Sequence, residues 1–317
     1  MRCLLFLVVG SAGWLFLGAA PALADNGPHV SGASVVTDSC AGCHRAHTGK
    51  AAKLLVQSQP ALCYTCHGTG NTGAATDVQA GVGYSSIARA TPAAALRGGG
   101  FSYALINSAA PTGQTTTGSN SLGAVPALAV GTVAAVTSTH SVDGTSVTAW
   151  GIGAIGSGAG ATVQLTCGSC HDPHGNGNYR ILKAIPEQSG GTALNITDAT
   201  TKVYTTGNYW KVDDTNAAGF IANVSAWCSK CHTRYLAGAG SGDTSSTDPI
   251  YTYRHRGNDT TQGSATCIQC HVAHGSNASM SGTYSNAVTN PDGTAAVGNS
   301  RLLRIDNRGT CQMCHKK

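Results

Sequence analysis

The only long apolar run of the chain stands at its start. It extends from Cys3 to Leu17, follows the positive charge of Arg2 and precedes the small residues of the sequence ALA. A basic residue, an apolar stretch and a small-residue cleavage site in this order are typical of an export signal. No later stretch approaches the roughly 18 uninterrupted apolar residues of a membrane-spanning helix. We therefore predict a signal peptide over 1–24 and an exported mature chain, without a transmembrane segment, over 25–317.

The rest of the sequence has few hydrophobic clusters. Glycine occurs 42 times and phenylalanine only 4 times, and long tracts consist of Gly, Ala, Ser and Thr. Such tracts favour irregular chain. A patchy alternation of Val and Thr over 132–150 is compatible with a hairpin around Asp143 and Gly144. The pattern predicts a mostly irregular, loop-rich fold with little β-structure, held together by something other than side-chain packing.

Twelve of the 13 cysteines form six C-x-x-C pairs, and a histidine directly follows each pair. The cysteines are Cys40, Cys43, Cys63, Cys66, Cys167, Cys170, Cys228, Cys231, Cys267, Cys270, Cys311 and Cys314; the histidines are His44, His67, His171, His232, His271 and His315. This signature is that of c-type haem attachment, in which two thioethers fix the porphyrin edge and the adjacent histidine ligates iron. Because cysteines at i and i+3 share one helix face, each motif should form a short helical turn. The sequence predicts six covalently attached haem c groups.

Zinc knuckles and structural disulfides are the alternative uses of paired cysteines. They do not account for the histidine that follows all six pairs. Histidine makes up 12 of 317 residues, so chance placement after six pairs has a probability on the order of one in a hundred million. Haem attachment is therefore strongly preferred to both alternatives.

Six haems would change the meaning of the composition. Stacked porphyrins would supply the apolar core that the polypeptide lacks. The formal net charge is +5, or +4 without Arg2, and twelve ionised propionates would bring it to roughly −8. The basic balance is therefore no argument for an anionic partner, and no Lys/Arg cluster indicates nucleic-acid binding.

The second axial ligand of each iron separates electron carriers from catalysts. Methionine cannot serve generally, because only Met280 and Met313 remain after the signal peptide. Histidine fits in number, since six histidines lie outside the proximal positions: His29, His47, His140, His174, His255 and His274. Histidine on both faces leaves no open coordination position and lacks the thioether that raises the potential of Met/His cytochromes. We therefore expect a low-potential electron carrier and not an enzyme.

The order of these residues shows an internal repeat. A lone histidine, then C-x-x-C-H-x-x-H, then plain C-x-x-C-H occurs three times in succession. The repeat predicts a single domain of three dihaem units, at about 29–67, 140–232 and 255–315, with a haem-free insertion over 68–139. Odd-numbered haems carry the extra histidine, and even-numbered haems do not.

Several stretches together resemble a known family. They are CAGCHRAH, CGSCHDPHG after a long insertion, AWCSKCHT, YRHRGN, CIQCHVAHGSNASM and the terminal CQMCHKK. With them the chain resembles the OmcS-type extracellular hexahaem cytochromes, which polymerise into nanowires. The resemblance covers the number and order of the haems and nearly the whole mature chain, whereas the intervening loops match loosely. It implies a loop-rich protomer with a continuous chain of bis-histidine haems.

The resemblance also implies a bond between subunits. It carries over onto His47, which would ligate haem 5, attached at Cys267 and Cys270, in a neighbouring protomer. Such a heterologous contact does not close and produces a filament. If the repeat holds, the extra histidine of each unit should reach the odd haem of the preceding unit. His174 would then serve haem 1 and His274 haem 3.

By the same rule, the lone histidines His29, His140 and His255 are left for haems 2, 4 and 6. No C-x-x-C-H motif precedes Cys40 in the sequence, which leaves His47 without an odd haem in its own chain. The assignment is a hypothesis that extends the resemblance through the repeat.

These features together predict extracellular electron transfer by a head-to-tail, conductive homopolymer at or beyond the outer cell surface. Its redox partners would be periplasmic or outer-membrane cytochromes and extracellular metal oxides or electrodes. The first alternative is a monomeric electron shuttle in the periplasm or on the outer surface. The second is a multihaem reductase, which would need a five-coordinate haem, although all six motifs end in histidine.

Overall fold

The computed structural model describes twelve parts of the chain, and the fold is given for them alone. They are residue 29 and 39–71, 73–84, 86, 88–89, 92–105, 133–196, 218–235, 248–251, 267–279, 289–295 and 299–304. The predicted signal peptide, His255 and the sixth motif, Cys311 to His315, lie outside the described residues.

The helices are short and coincide with the cysteine motifs. They are α1 Ser39–Cys43, α2 Ala61–His67, α3 Cys167–Cys170, α4 Ala218–Cys228 and α5 Cys267–Cys270, with single 3₁₀ turns at Ala52–Leu54, Tyr179–Ile181 and Thr233–Tyr235. Four of the five described motifs lie within a helical turn, and the fourth begins at the last residue of α4. No described helix has the length and apolar character to cross a membrane. The short helical turns predicted for the motifs are confirmed.

The strands are also short and belong to small antiparallel sheets. They are β1 Thr76–Asp77, β2 Val82–Tyr84, β3 Pro92–Ala95, β4 Tyr103–Leu105, β5 Val133–Ala135, β6 Ser138–Thr139, β7 Ser146–Trp150, β8 Gly160–Gln164 and β9 Gly275–Ser276. The sheet orders are β1-β2-β3, β4-β5, β6-β9 and β7-β8. The predicted loop-rich fold with little β-structure is confirmed.

The hairpin predicted around Asp143 and Gly144 is wrong, although the turn at that point is present. The Asp143 carboxylate accepts a hydrogen bond from the backbone of Thr145 at 2.9 Å, and Gly144 has a φ of +81°. The strands on the two sides of this turn do not pair with each other, because β6 pairs with β9 and β7 pairs with β8. The turn therefore separates two sheets.

Among the described residues, buried apolar side chains are few, and about half of them belong to two small clusters. One joins the insertion to the fifth motif through Val82, Ala95, Ala104, Leu105 and Val272. The other consists of Ile196 and Val224 with partly buried neighbours that include Trp227. Neither cluster is the continuous core that a chain of this length ordinarily forms.

A glycine-rich loop of the insertion lies directly against the segment that carries His274. The backbone N–H of His274 donates to the carbonyl of Gly98 at 2.6 Å. Gly99 has a φ of +69°, and a Cβ atom there would lie 1.9 Å from the carbonyl oxygen of Gly275. Only glycine permits this approach of the two backbones. The insertion thus positions His274 by backbone contact.

Replacing Gly99 by alanine should therefore destabilise the protein much more than the same change at Gly144. Both glycines have a positive φ in the left-handed region, but a Cβ atom at Gly144 would meet no atom within 4 Å. The Gly144→Ala variant should lose about 1 kcal/mol from its backbone conformation alone. The free energy of unfolding of Gly99→Ala should fall by at least about 2 kcal/mol more, because the backbones at Gly99 and Gly275 must move apart. Urea unfolding of both variants measures the difference, and equal midpoints would contradict the contact.

Candidate haem-binding sites

The short helical turns place the two cysteines of each described motif on one side of the backbone. None of the ten cysteines in the described part of the chain forms a disulfide bond. In the third motif, the hydroxyl of Ser169 accepts a hydrogen bond from the backbone of Thr166 at 3.0 Å, and this bond helps cap the turn. The backbone N–H of His171 then donates to the carbonyl of Cys167 at 2.9 Å. The turn ends as the histidine begins, so the imidazole stands beside the thiols.

Four pairs of imidazole rings face each other across a similar gap. The centroid distances are 6.2 Å for His44–His174, 6.1 Å for His29–His67, 6.4 Å for His171–His274 and 6.1 Å for His140–His232. Each pair joins one histidine of a C-x-x-C-H motif to one histidine outside the proximal positions. The structure thus brings together eight of the twelve candidate ligands, two by two.

The gap is the width that one six-coordinate iron requires. A metal–imidazole nitrogen bond is about 2 Å long, and the ring centre lies roughly 1 Å behind its nitrogen. Two imidazoles on opposite sides of one iron therefore have centroids about 6 Å apart. All four observed distances lie close to this value.

Hydrogen bonds at Nδ1 leave Nε2 as the free nitrogen of most of these rings. Nδ1 donates to a backbone carbonyl in His29, His44, His140, His171, His232, His271 and His274, and in His67 it is hydrogen-bonded to the Thr76 hydroxyl. The distances run from 2.6 Å at His140 to 3.3 Å at His274. An outer hydrogen bond of this kind fixes the tautomer and orientation of a metal-binding imidazole.

Burial keeps several of these imidazoles neutral. It lowers the pKa of His67 and of His232 to about 4 and that of His274 to about 3, and nearby positive groups lower each of them further. The pKa values of His140 and His171 are also lowered, again chiefly by burial. Neutral imidazole is the form that binds metals, so these rings are ready to ligate at neutral pH.

The pairs follow one rule along the chain. The extra histidine of the third motif, His174, faces the proximal His44 of the first motif, and His274 of the fifth motif faces His171 of the third. His171 and His174, only three residues apart, therefore belong to different ring pairs. The lone histidines His29 and His140 face the proximal histidines of the second and fourth motifs. That each pair ligates one iron stays a prediction.

A segment that the sequence reasoning missed closes each odd-numbered motif from behind. We call these segments the clasps and define them as residues 53–55, 180–182 and 301–303. In each clasp, the carbonyl of the first residue accepts the Nδ1 hydrogen bond of the proximal histidine, at 2.8, 2.8 and 2.9 Å respectively. The third residue forms an antiparallel bridge to the same histidine. The clasps thus hold the proximal imidazoles of the first, third and fifth motifs.

The clasps share an unusual backbone and a common sequence. The first two residues of each have a positive φ between 52° and 61°, a region that residues with a Cβ rarely occupy. Their sequences are Lys-Leu-Leu, Arg-Ile-Leu and Arg-Leu-Leu. The sequence signal was therefore a basic residue followed by two aliphatic residues, which repeats once after each odd motif.

The described motifs lie next to one another in sequence order. The neighbouring thiol of Cys63 raises the pKa of Cys167, and the neighbouring thiol of Cys267 raises the pKa of Cys228. Cys43 and Cys170 are likewise influenced by thiols of the next motif. Burial raises both pKa values, that of Cys170 to about 12, and the neighbouring thiols of the second and fourth motifs raise them further. Thiols of successive motifs, from the first to the fifth, are therefore near one another.

Two candidate ligands stand apart from the four ring pairs. His47 is exposed, and it takes part in no hydrogen bond, ion pair or ring contact within the described ranges. The proximal His271 of the fifth motif is also exposed, and its Nδ1 donates to the carbonyl of Arg301. The remaining candidates, His255, His315, Cys311 and Cys314, lie outside the described residues.

Comparisons with known proteins support haem c attachment at the C-x-x-C-H motifs. Residues 33–72 match the family of the doubled CXXCH motif. A segment of 123 residues is 33% identical to the tetraheme c-type cytochrome CymA of Shewanella oneidensis. The doubled motif and this similarity support a multihaem c-type cytochrome. The segment covers 38% of this cytochrome and 63% of CymA, so the chain spans less than two thirds of that relative. No solved structure matches the cytochrome.

The side chains of the cytochrome fit haem c at four positions. At each, a C-x-x-C pair offers two free thiols for attachment, and two imidazoles stand one iron's width apart. When bound, haem supplies the one-electron chemistry of its iron. The polypeptide supplies the thiols, the neutral imidazoles and the backbone carbonyls that orient them.

Proposed function

We propose that the cytochrome carries six bis-histidine haems and passes electrons along them from one end of the chain to the other. We further propose that it polymerises head to tail outside the cell, with His47 entering the site of the fifth haem in a neighbouring copy. The observation that carries this proposal is the pairing rule of the extra histidines.

The row of motifs supports electron transfer along the chain. Thiols of the second and third motifs interact electrostatically, and so do thiols of the fourth and fifth. Haems attached to neighbouring thiols would lie near each other. Because electron tunnelling falls steeply with distance, haems close to one another along the chain would favour transfer from one to the next.

The pairing rule supports polymerisation. His174 and His274 each face the proximal histidine of the preceding odd motif. His47 occupies the same place in the first C-x-x-C-H-x-x-H motif of the sequence. Under the same rule, its counterpart would be the last odd motif of another copy, at His271. Both imidazoles are exposed, as an exchange between two copies requires.

The exposure of the first clasp is a second and independent observation in favour of a neighbouring copy. Leu54, the second residue of the first clasp, is 54% exposed. The corresponding residues of the later clasps, Ile181 and Leu302, are half-buried, and Leu302 packs against the cluster around Val272. A second copy bound at the first motif would bury Leu54 to the extent that Ile181 and Leu302 are already buried.

Replacing His47 by alanine should abolish filaments of the secreted protein without loss of any covalently attached haem. The C-x-x-C-H motifs are untouched, so mass spectrometry should still find six haems. Electron microscopy of the purified material compares this variant with Lys50→Ala, a change of an exposed side chain three residues away. The lysine variant should polymerise normally.

Filaments of unchanged abundance in the His47→Ala variant would contradict the proposed bond between copies. If the unaltered protein is monomeric and all its haems are low-spin, the cytochrome is instead a soluble electron shuttle. A haem count other than six would overturn the proposed cofactor content.

A further inference from the structure

The guanidinium of Arg301 in the third clasp is only partly satisfied by the protein. Its Nη1 donates to the side-chain oxygen of Asn290. Its Nε and Nη2 are buried, and neither has a hydrogen-bond partner in the described part of the chain. Burial of unpaired donors of a charged group is costly, so this edge of the guanidinium indicates a missing anionic acceptor.

The two unpaired nitrogens lie on the same edge of the guanidinium. Nε–H and one Nη2–H point in parallel, which is the arrangement that a carboxylate accepts with both oxygens. The carboxylate of Asp292 influences Arg301 electrostatically, but its Oδ1 accepts hydrogen bonds from Thr294 at 2.6 and 2.9 Å. The open edge therefore fits a carboxylate that the described polypeptide does not supply.

Arg301 lies where the fourth and fifth motifs meet. Its own carbonyl holds the fifth proximal histidine, His271. Its positive charge also acts on Tyr235, whose ring centroid is 5.6 Å from that of the fourth proximal histidine, His232. The side chain is thus within reach of groups that belong to two consecutive motifs.

Arg180 occupies the same place one repeat earlier. Its carbonyl holds His171 of the third motif, and its charge contributes to the lowered pKa of His67 in the second motif. The first residue of a clasp is therefore a half-buried arginine at both junctions between an even motif and the following odd motif. This coincidence at two sites indicates a role that depends on the junction.

We propose that Arg301 and Arg180 bind haem propionates at these two junctions and thereby raise the reduction potential of a haem beside each of them. The inference rests on the proposed haem content, but it does not depend on polymerisation. Propionates are the carboxylates that attached haem would bring to these positions, and Arg301 presents them with a bidentate edge. A fixed positive charge disfavours the more positive ferric state and so favours the reduced haem.

The test is a spectroelectrochemical titration of the secreted protein and its Arg301→Gln variant. Glutamine keeps a hydrogen-bonding side chain but removes the charge. The midpoint potential of one haem should fall by about 59 mV in the variant. For a one-electron reduction this corresponds to an about tenfold smaller equilibrium constant. The low-spin absorption spectrum should not change, since no axial ligand is altered.

Two further variants separate charge from structure. Arg301→Lys keeps the positive charge, so its midpoint potential should stay close to that of the unaltered protein. Asn290→Ala removes the hydrogen bond to Nη1 but keeps the guanidinium, and should leave the potential unchanged. Arg180→Gln should reproduce the shift at the other junction, and it serves as the test if Arg301→Gln does not fold.

An unchanged titration in a folded glutamine variant would overturn the proposal. An equal shift in Asn290→Ala would also overturn it, because the effect would then be structural. Loss of filaments in His47→Ala bears only on the proposed polymer, and the titration is measured whether or not filaments form.

Discussion

Replacing His274 by alanine is expected to convert one haem of each chain to the high-spin state while all haems stay attached. The His274 imidazole faces His171 of the third motif at 6.4 Å, and no other imidazole is available on that side within the described residues. Without it, the iron would be five-coordinate or would bind water. Electron paramagnetic resonance of the ferric protein would show a high-spin signal of one haem equivalent.

The control for this variant is Phe101→Leu. The ring of Phe101 stacks on that of His274 with a centroid distance of 4.5 Å, so the leucine variant disturbs the packing of the imidazole but retains it. It should stay low-spin. A His274→Ala protein without a high-spin signal would show that the ring pair does not hold iron, and it would remove the basis of the pairing rule.

The second large effect is expected at a buried ion pair beside the fourth motif. Arg234 and Asp248 are 2% and 0% exposed, and Nε and Nη2 of the arginine donate to the two carboxylate oxygens at 2.5 and 2.6 Å. The Asp248→Asn variant would leave a buried guanidinium without its counter-charge. Loss of one partner of such a pair costs about 3–5 kcal/mol. Urea unfolding followed by tryptophan fluorescence, which haem quenches in the folded protein, measures the loss.

Glu187→Gln provides the matched control at a surface pair. Glu187 is 49% exposed, and its partner Lys183 is 27% exposed. Water screens such a pair, so its loss should cost no more than about 1 kcal/mol. A similar destabilisation in both variants would mean that the Arg234–Asp248 pair is not buried in solution.

The Asp248 effect should also depend on pH in a defined direction. The hydrogen bonds from Arg234, and those from the backbone at Ile250 and Tyr251, hold the pKa of the Asp248 carboxyl well below its usual range. Its contribution to stability is therefore complete above the unfolded pKa, about 4, and falls as the pH drops below that value. The difference between the unaltered protein and Asp248→Asn should shrink in the same range.

Much of the site could be predicted because it depends on local chemistry and on order along the chain. Cysteines three apart require only one helical turn, and all five described motifs are built at or within one. The pairing of His174 with His44 follows from the repeat, because a histidine three residues from His171 cannot reach the opposite side of the same iron. Neither prediction needed knowledge of distant contacts.

The clasps could not be predicted from general rules. Left-handed backbone is expected at glycine, whereas here it occurs at pairs such as Arg180 and Ile181, the second of them β-branched. Tertiary context overrides the local preference, since the carbonyl at each clasp must turn towards a proximal imidazole. The basic and aliphatic residues were visible in the sequence, but their distance from the histidine differs, at nine residues for Lys53 and thirty for Arg301.

The strand pairings could not be predicted from the sequence for a different reason. β6 pairs with β9, which lies more than 130 residues further along the chain, and no periodicity reports such a partner. The alternation of Val and Thr indicated strands correctly. The intervening turn suggested the wrong neighbours, because Asp143 forms the same local turn whether or not its flanks pair.

The dependence of each early motif on a later one bears on how the cytochrome matures. If the ring pairs hold iron, the haem at His44 gains its second axial ligand only when His174 is in place, and the haem at His171 only when His274 is in place. A chain that crosses the membrane from its N-terminus exposes each odd proximal histidine well before its counterpart arrives. Haem attachment at the first motif would then precede completion of its coordination sphere, and the reactive iron would be closed only as the next unit folds. Truncation after any even motif would consequently leave the last odd haem open to small ligands such as carbon monoxide.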